Sequence, residues 1–154
     1  MLRLASYDIV FQEVPGETTL ALNISGCPNR CPGCHSPHLR DESGEPLDDG
    51  LLEWLLDKYG DSVTCICFMG GDGDPKMVSE LAATVKRLSE GRLLTAWYSG
   101  NATLPDKFEI ETFDYIKLGP YIEKFGGLRS PATNQRFYKV SGHTLTDITH
   151  IFRK

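Results

Sequence analysis

Cys27, Cys31 and Cys34 stand in the run Gly26-Cys27-Pro28-Asn29-Arg30-Cys31-Pro32-Gly33-Cys34-His35, a C-x3-C-x2-C spacing. Three clustered thiolates with no fourth cysteine nearby suit an iron–sulfur cube. Three irons are then held by the protein, and the fourth is left open for a ligand that does chemistry. That vacancy separates a reactive cluster from one that only carries electrons. Proline and glycine keep the segment from closing into a helix, so its sulfurs can converge on one centre. Zinc is the alternative. Cys27, Cys31, Cys34 and His38, with His35 also at hand, could form a Cys3His site that closes tetrahedrally and only folds the loop. A disulfide framework fits less well, because the chain has five cysteines, an odd number, and no signal-peptide h-region opens it. A reducing cytoplasm is the expected location.

A second group of residues could meet a ligand. Gly70-Gly71-Asp72-Gly73-Asp74-Pro75 follows an apolar run. A glycine turn lets backbone groups approach a ligand closely, and an acid there can meet an ammonium. The plainer role is a tight turn with a helix cap, and for Asp74 that role is favoured.

These residues need elements to position them. Thr19 to Ser25 has strand alternation and runs into the cysteines. Asp49 to Tyr59 reads as a helix with Leu51, Leu52, Trp54, Leu55 and Leu56 as its apolar face, ended by Gly60. Val63 to Met69 reads as a buried parallel strand. A second helix is expected with Asp74 as N-cap, Pro75 at its first position and Gly91 beyond its end. Leu93 to Tyr98 and Phe113 to Leu118 read as further strands. Strands alternating with helices predict right-handed βαβ units. The expected class is therefore α/β with a mostly parallel sheet. The 154 residues fall short of an eight-unit barrel of about 250. A partial, open βα barrel is the better fit, as one domain over residues 1–154. Ligands of such folds bind beyond the carboxyl ends of the strands. The cysteine segment, Gly70–Asp72, Tyr98-Ser99-Gly100-Asn101 and Gly119-Pro120-Tyr121 all follow strands there.

Composition excludes some partners. The formal net charge of −5 gives no basic footprint for nucleic acid. No run of about 20 apolar residues offers a membrane span. No repeat or low-complexity tract breaks the chain.

Taken together, these motifs resemble the radical S-adenosylmethionine superfamily, and within it the activating enzymes of anaerobic ribonucleotide reductase. The three-cysteine spacing is that superfamily's signature. Pro32-Gly33 before the last cysteine, Gly26 ahead of the first and Gly70-Gly71-Asp72 with a nearby proline are similar to the activase subgroup. So are Trp97-Tyr98-Ser99-Gly100, Gly119-Pro120-Tyr121 and Thr133-Asn134-Gln135-Arg136, in that order. The resemblance runs from about Asp8 to Val140. It implies a radical SAM domain whose 4Fe-4S cluster is held by Cys27, Cys31 and Cys34. It also implies S-adenosylmethionine as cofactor, with its ammonium near Gly70, Gly71 and Asp72, and Ser99 or its backbone near the ribose or carboxylate. A reduced flavodoxin-like donor would supply the electron, and anaerobic ribonucleotide reductase would be the protein substrate, receiving a glycyl radical. A small-molecule radical enzyme, such as a carboxy-deazaguanine synthase, is the neighbouring possibility.

The chain departs from the pattern in three places. Asp72 stands where the wider superfamily usually has Glu, Gly73-Asp74 looks inserted before Pro75, and Lys117-Leu118 replaces the acid expected before Gly119. Elsewhere, Cys65 and Cys67 share one face of a strand and read as core. Trp54 reads as core, and His143 and His150 as parts of a solvated tail. Arg129, Asn134, Gln135 and Arg136 lack an apolar period and are candidates for partner contact.

Overall fold

The computed structural model describes residues 2–25, 44–106 and 108–153. Its centre is four parallel strands. They are β2 (Thr19–Ile24), β4 (Cys65–Met69), β5 (Leu94–Tyr98) and β6 (Tyr115–Leu118), paired in that order. Between them run the helices α1 (Asp49–Tyr59) and α2 (Pro75–Leu88). On one flank β1 (Arg3–Val10) pairs antiparallel with β2, and the two-residue β3 (Glu45–Pro46) pairs antiparallel with β1. On the other flank β7 (Arg136–Ser141) pairs antiparallel with β6, and β8 (Thr144–Asp147) with β7.

The expected fold class is thereby corrected. The sheet has eight strands in the order β3-β1-β2-β4-β5-β6-β7-β8, and four of its seven strand pairings are antiparallel. With only two α-helices among the described residues, this is not an open βα barrel with a mostly parallel sheet. Chain geometry explains the difference. Only Gly142 and His143 separate β7 from β8, and β1 is followed by β2 after residues 11–18, both short of the roughly one dozen residues a parallel crossover needs. A connection that short returns the chain antiparallel. Of the segment read as a polar tail, His143 lies in the turn of this hairpin and His150 in the short helical turn Thr149–Arg153 that follows it.

Both helices pack on one face of the sheet. There Leu52 and Leu55 of α1 and Val78, Leu81, Ala82 and Val85 of α2 cover Leu20, Leu22, Ile66, Phe68, Trp97 and Ile116. Strand alternation sends Cys65, Cys67 and Ala96 to the other face, where Val14, Phe137 and Phe152 close a smaller cluster. Each helix starts on an aspartate. Asp48 accepts the Leu51 amide at 2.9 Å, and Asp74 accepts the Met77 amide at 3.3 Å, with Pro75 at the first position of α2. Trp54 departs from its expected place in the core. It is 49% exposed, with the Lys58 ammonium 4.9 Å above its ring.

The amino ends of the central strands are tied by one ion pair. Lys86 Nζ lies 2.5 Å from Asp114 Oδ2 and donates to the Leu93 carbonyl at 3.0 Å, while the same Asp114 oxygen accepts the Thr95 amide at 2.9 Å. The carboxyl ends are left to the loops.

Candidate functional site

At the carboxyl ends, β2 and β4 finish side by side, with Asn23 opposite Met69. Ile24 and Ser25 then lead into the cysteine segment. Cys27, Cys31 and Cys34, with His35, Pro37 and His38, lie outside the described residues. The turn after β4 presses against this point. A Cβ on Gly70 would sit 3.1 Å from the Ile24 carbonyl oxygen, and one on Gly71 would sit 2.5 Å from Val78 Cγ2 of α2. Both residues have positive φ, 109° and 87°, so glycine is required for backbone shape as well as for space. The Gly70 amide donates to the Tyr98 carbonyl at 3.0 Å. Its own carbonyl accepts the Trp97 indole N–H at 2.7 Å.

This turn delivers Asp72 to the loop after β5. Asp72 is 8% exposed and Ser99 only 1%. Ser99 Oγ donates to Asp72 Oδ1 at 2.5 Å, and the Gly100 amide donates to Oδ2 at 2.8 Å. Hydrogen bonds to an ionised carboxylate are short and strong. Gly70, Gly71, Asp72 and Ser99, singled out in the sequence, are thus brought together. The Ser99 hydroxyl spends its proton on Asp72 and accepts the Asn101 amide at 3.1 Å, so it orients the acid. Gly73 and Asp74, which looked like an insertion, complete the turn and cap α2: the Asp74 amide donates to the Gly71 carbonyl at 3.0 Å.

Sequence reasoning noted Lys117 only as a departure, and the structure gives it a part in this network. Lys117 is 8% exposed, and its Nζ donates to the carbonyls of Ser99 at 2.9 Å and Gly119 at 3.1 Å. It also lies 5.5 Å from the centre of the Tyr98 ring. Polar groups therefore link the ends of β4, β5 and β6. The available signal was its register: a lysine between Ile116 and Leu118, on a strand whose neighbours are buried, must find polar partners inside.

Thr133-Asn134-Gln135-Arg136 does not act as one surface. Gln135 Nε2 donates to the Gly119 carbonyl at 3.3 Å, and Asn134 Nδ2 to the Pro120 carbonyl at 3.0 Å. These two side chains hold the turn after β6. Arg136 faces outward on β7, 3.7 Å from Asp147. Arg129 Nη2 donates to Gln12 Oε1 at 2.5 Å, joining this loop to the connection between β1 and β2.

Cys65 and Cys67 are buried free thiols. Burial pushes the Cys65 thiol up to about 12 and Cys67 well above its usual range. A neutral thiol is neither a nucleophile nor a metal ligand. Among the described residues no group of three or more His, Cys, Asp or Glu could hold a metal ion. Cys27, Cys31 and Cys34 remain the donor set suited to an iron–sulfur centre by type and spacing. Among the described residues, no helix is long and apolar enough to cross a membrane.

Residues 14–112 match the protein family described as a 4Fe-4S single cluster domain. The chain belongs to this family. It is an iron–sulfur protein of the 4Fe-4S kind, which sets the zinc alternative aside. The matched stretch takes in the three clustered cysteines, the Gly70–Asp72 turn and Ser99. No curated protein and no solved structure matches the chain.

Proposed function

We propose that this iron–sulfur protein is a radical S-adenosylmethionine activase that installs a glycyl radical on an anaerobic ribonucleotide reductase. One observation carries the reading. The segment bearing three clustered cysteines leaves β2 beside the glycine turn that bears Asp72, at the same end of the sheet. A cluster with one open iron and a carboxylate for an ammonium are what S-adenosylmethionine needs from its protein. Its amino and carboxylate groups would chelate the iron.

In this reading Cys27, Cys31 and Cys34 hold the cluster. Gly70 and Gly71 shape the turn that carries Asp72, and Asp72 receives the ammonium of the methionyl group. Ser99 and the Gly100 amide hold the Asp72 carboxylate in place, and Lys117 fixes the backbone that carries Ser99. When bound, the cluster and S-adenosylmethionine, given one electron from a reduced flavodoxin-like donor, would supply the radical chemistry that removes a hydrogen atom from a glycine of the reductase.

The test is electron paramagnetic resonance on the anaerobically prepared protein mixed with S-adenosylmethionine, a reductant and its cognate reductase. A carbon-centred doublet should appear, and deuterated glycine should collapse its splitting. A reductase that stays radical-free while a small molecule is turned over refutes the activase and favours a small-molecule radical enzyme.

A further inference from the structure

Strand β1 lies next to the end of the sheet, and its outer edge is covered over only part of its length. β3 pairs with it at Arg3 and Leu4. From Ser6 to Val10 no strand pairs with that edge among the described residues. The backbone there is ready to pair. The Thr64 amide donates to the Thr18 carbonyl at 2.8 Å, so Thr18 faces β4. By alternation Thr19 and Ala21 face β1, where they meet Val10 and Asp8. The N–H and C=O groups of Tyr7 and Ile9 therefore point outward, away from β2.

An edge left open in this way pairs with another chain unless lysine, proline or an inward charge blocks it. Ala5-Ser6-Tyr7-Asp8-Ile9-Val10-Phe11 has no proline and no lysine, and Asp8 is its single charge. The edge also carries apolar surface. Tyr7 and Ile9 share one face of the strand, the face on which the Tyr7 ring lies 5.5 Å from that of Tyr59 on α1. Ile9 is 39% exposed, and Phe11, just past the strand, is 67% exposed. The opposite edge of the sheet differs: β8 turns Thr144, Thr146 and Asp147 to solvent, and its Leu145 packs against the core.

The sequence of the β1 edge is complementary to itself. A two-fold axis through Ile9 lets the Ile9 residues of two copies exchange both backbone hydrogen bonds. That register sets Ile9 against Ile9, Tyr7 against Phe11 and Asp8 against Val10, so the apolar row meets itself and no charge meets its like. An axis at Asp8 would set two carboxylates face to face. An axis at Tyr7 would bring Val10 of each copy against Leu4 of the other, where β3 already lies.

We propose that this protein forms a two-fold dimer in which the β1 edges pair antiparallel and join the two sheets into one. The inference goes beyond the activase reading and does not depend on it, since the pairing uses neither the clustered cysteines nor Asp72.

The test is sedimentation velocity on the full chain with its cluster reconstituted anaerobically, across micromolar concentrations. The samples are wild type, Ile9→Lys, Ile9→Glu and an equimolar mixture of the two variants. Ile9 lies outside both core clusters, so circular dichroism and iron content should match wild type. Wild type should sediment as a dimer. Each variant alone sets like charges across the axis and should raise the dimer dissociation constant by about tenfold or more. The mixture should recover dimers, because lysine then faces glutamate, and that rescue requires the register with Ile9 against Ile9. A monomeric wild type overturns the inference, as do variants that dimerise like wild type or a mixture that stays monomeric. A monomeric wild type whose binding to the cognate reductase is lost in Ile9→Lys assigns the edge to that polypeptide instead.

Discussion

Asp72→Ala removes the acceptor for two buried donors, Ser99 Oγ at 2.5 Å and the Gly100 amide at 2.8 Å. An orphaned buried donor costs about 1–3 kcal/mol. The Gly100 amide cannot turn away, whereas the Ser99 hydroxyl can rotate, so the total expected loss is about 2–4 kcal/mol. At about 3 °C per kcal/mol for a chain of this size, the thermal midpoint falls by about 6–12 °C. Ser99→Ala leaves the Gly100 bond in place and should cost roughly half as much. The double variant is the sharper measurement. Once Asp72 is gone, the Ser99 hydroxyl has lost its acceptor, so removing it costs only the bond it accepts from the Asn101 amide. The thermodynamic cycle should give a coupling of about 1–3 kcal/mol. Circular dichroism melts of the four proteins, under anaerobic conditions, supply the numbers. In cluster-loaded protein, Asp72→Ala should also weaken S-adenosylmethionine binding by about 1.5–3 kcal/mol, the scale of a charge-assisted hydrogen bond, with the cluster intact. Strictly additive losses in stability would refute the Asp72–Ser99 bond. Unchanged cofactor affinity would reduce Asp72 to a turn residue.

Replacing Cys27, Cys31 or Cys34 by Ala should abolish iron and sulfide binding, each near four per chain in wild type by the cluster stoichiometry; Cys65→Ala and Cys67→Ala should keep both, and metal and sulfide assays decide. With burial holding Cys65 up to about 12, neither core thiol should react with a maleimide in the native protein at mildly alkaline pH, and both should react once it is unfolded. Partial burial pushes the Asp147 carboxyl up, but hydrogen bonds from the Thr149 hydroxyl and amide and the Arg136 and His150 charges outweigh it and leave it below its ordinary value. Its stabilising effect is therefore complete above the ordinary value of about 4 and is lost as pH falls below that value towards the lowered one. Asp147→Asn should flatten that part of the stability–pH curve measured by denaturant titration. Gly71→Ala combines a φ of 87° with a Cβ 2.5 Å from Val78 Cγ2 and should lower stability by about 1–3 kcal/mol.

What the sequence revealed follows from where each element lies. The bounds of α1 are the expected ones, because a full apolar face and an aspartate cap mark it. The four central strands were legible because burial on both faces leaves continuous apolar runs. The flanking strands were not. In β1 only Leu4 is buried, in β7 only Phe137, and in β8 none, so solvent-facing residues mask the alternation that would reveal a strand. With those strands unseen, parallel pairings looked dominant. At the site, Gly70, Gly71, Asp72 and Ser99 were visible as turns that follow strands. Lys117 was not, because the Ser99 carbonyl it bonds lies on a different strand end, distant in the chain. Trp54 shows the opposite error: it was read onto the apolar face, but two residues beyond Leu52 it lies about 200° round the helix, off the Leu52–Leu55 stripe, and stays outside.

The indole bond between Trp97 and the Gly70 carbonyl gives the protein an optical reporter of its own. Trp97 is wholly enclosed, packed against both Phe108 and Phe113, and its N–H is fixed to the glycine turn. Trp54, the other tryptophan of the chain, stands half in water. Iodide extinguishes the outer fluorophore and spares the inner one, whose emission wavelength then reads the state of the Gly70 carbonyl. In cluster-free protein, where no iron centre absorbs the light, a ligand that settles on the turn announces itself as a colour shift of Trp97 without any added dye.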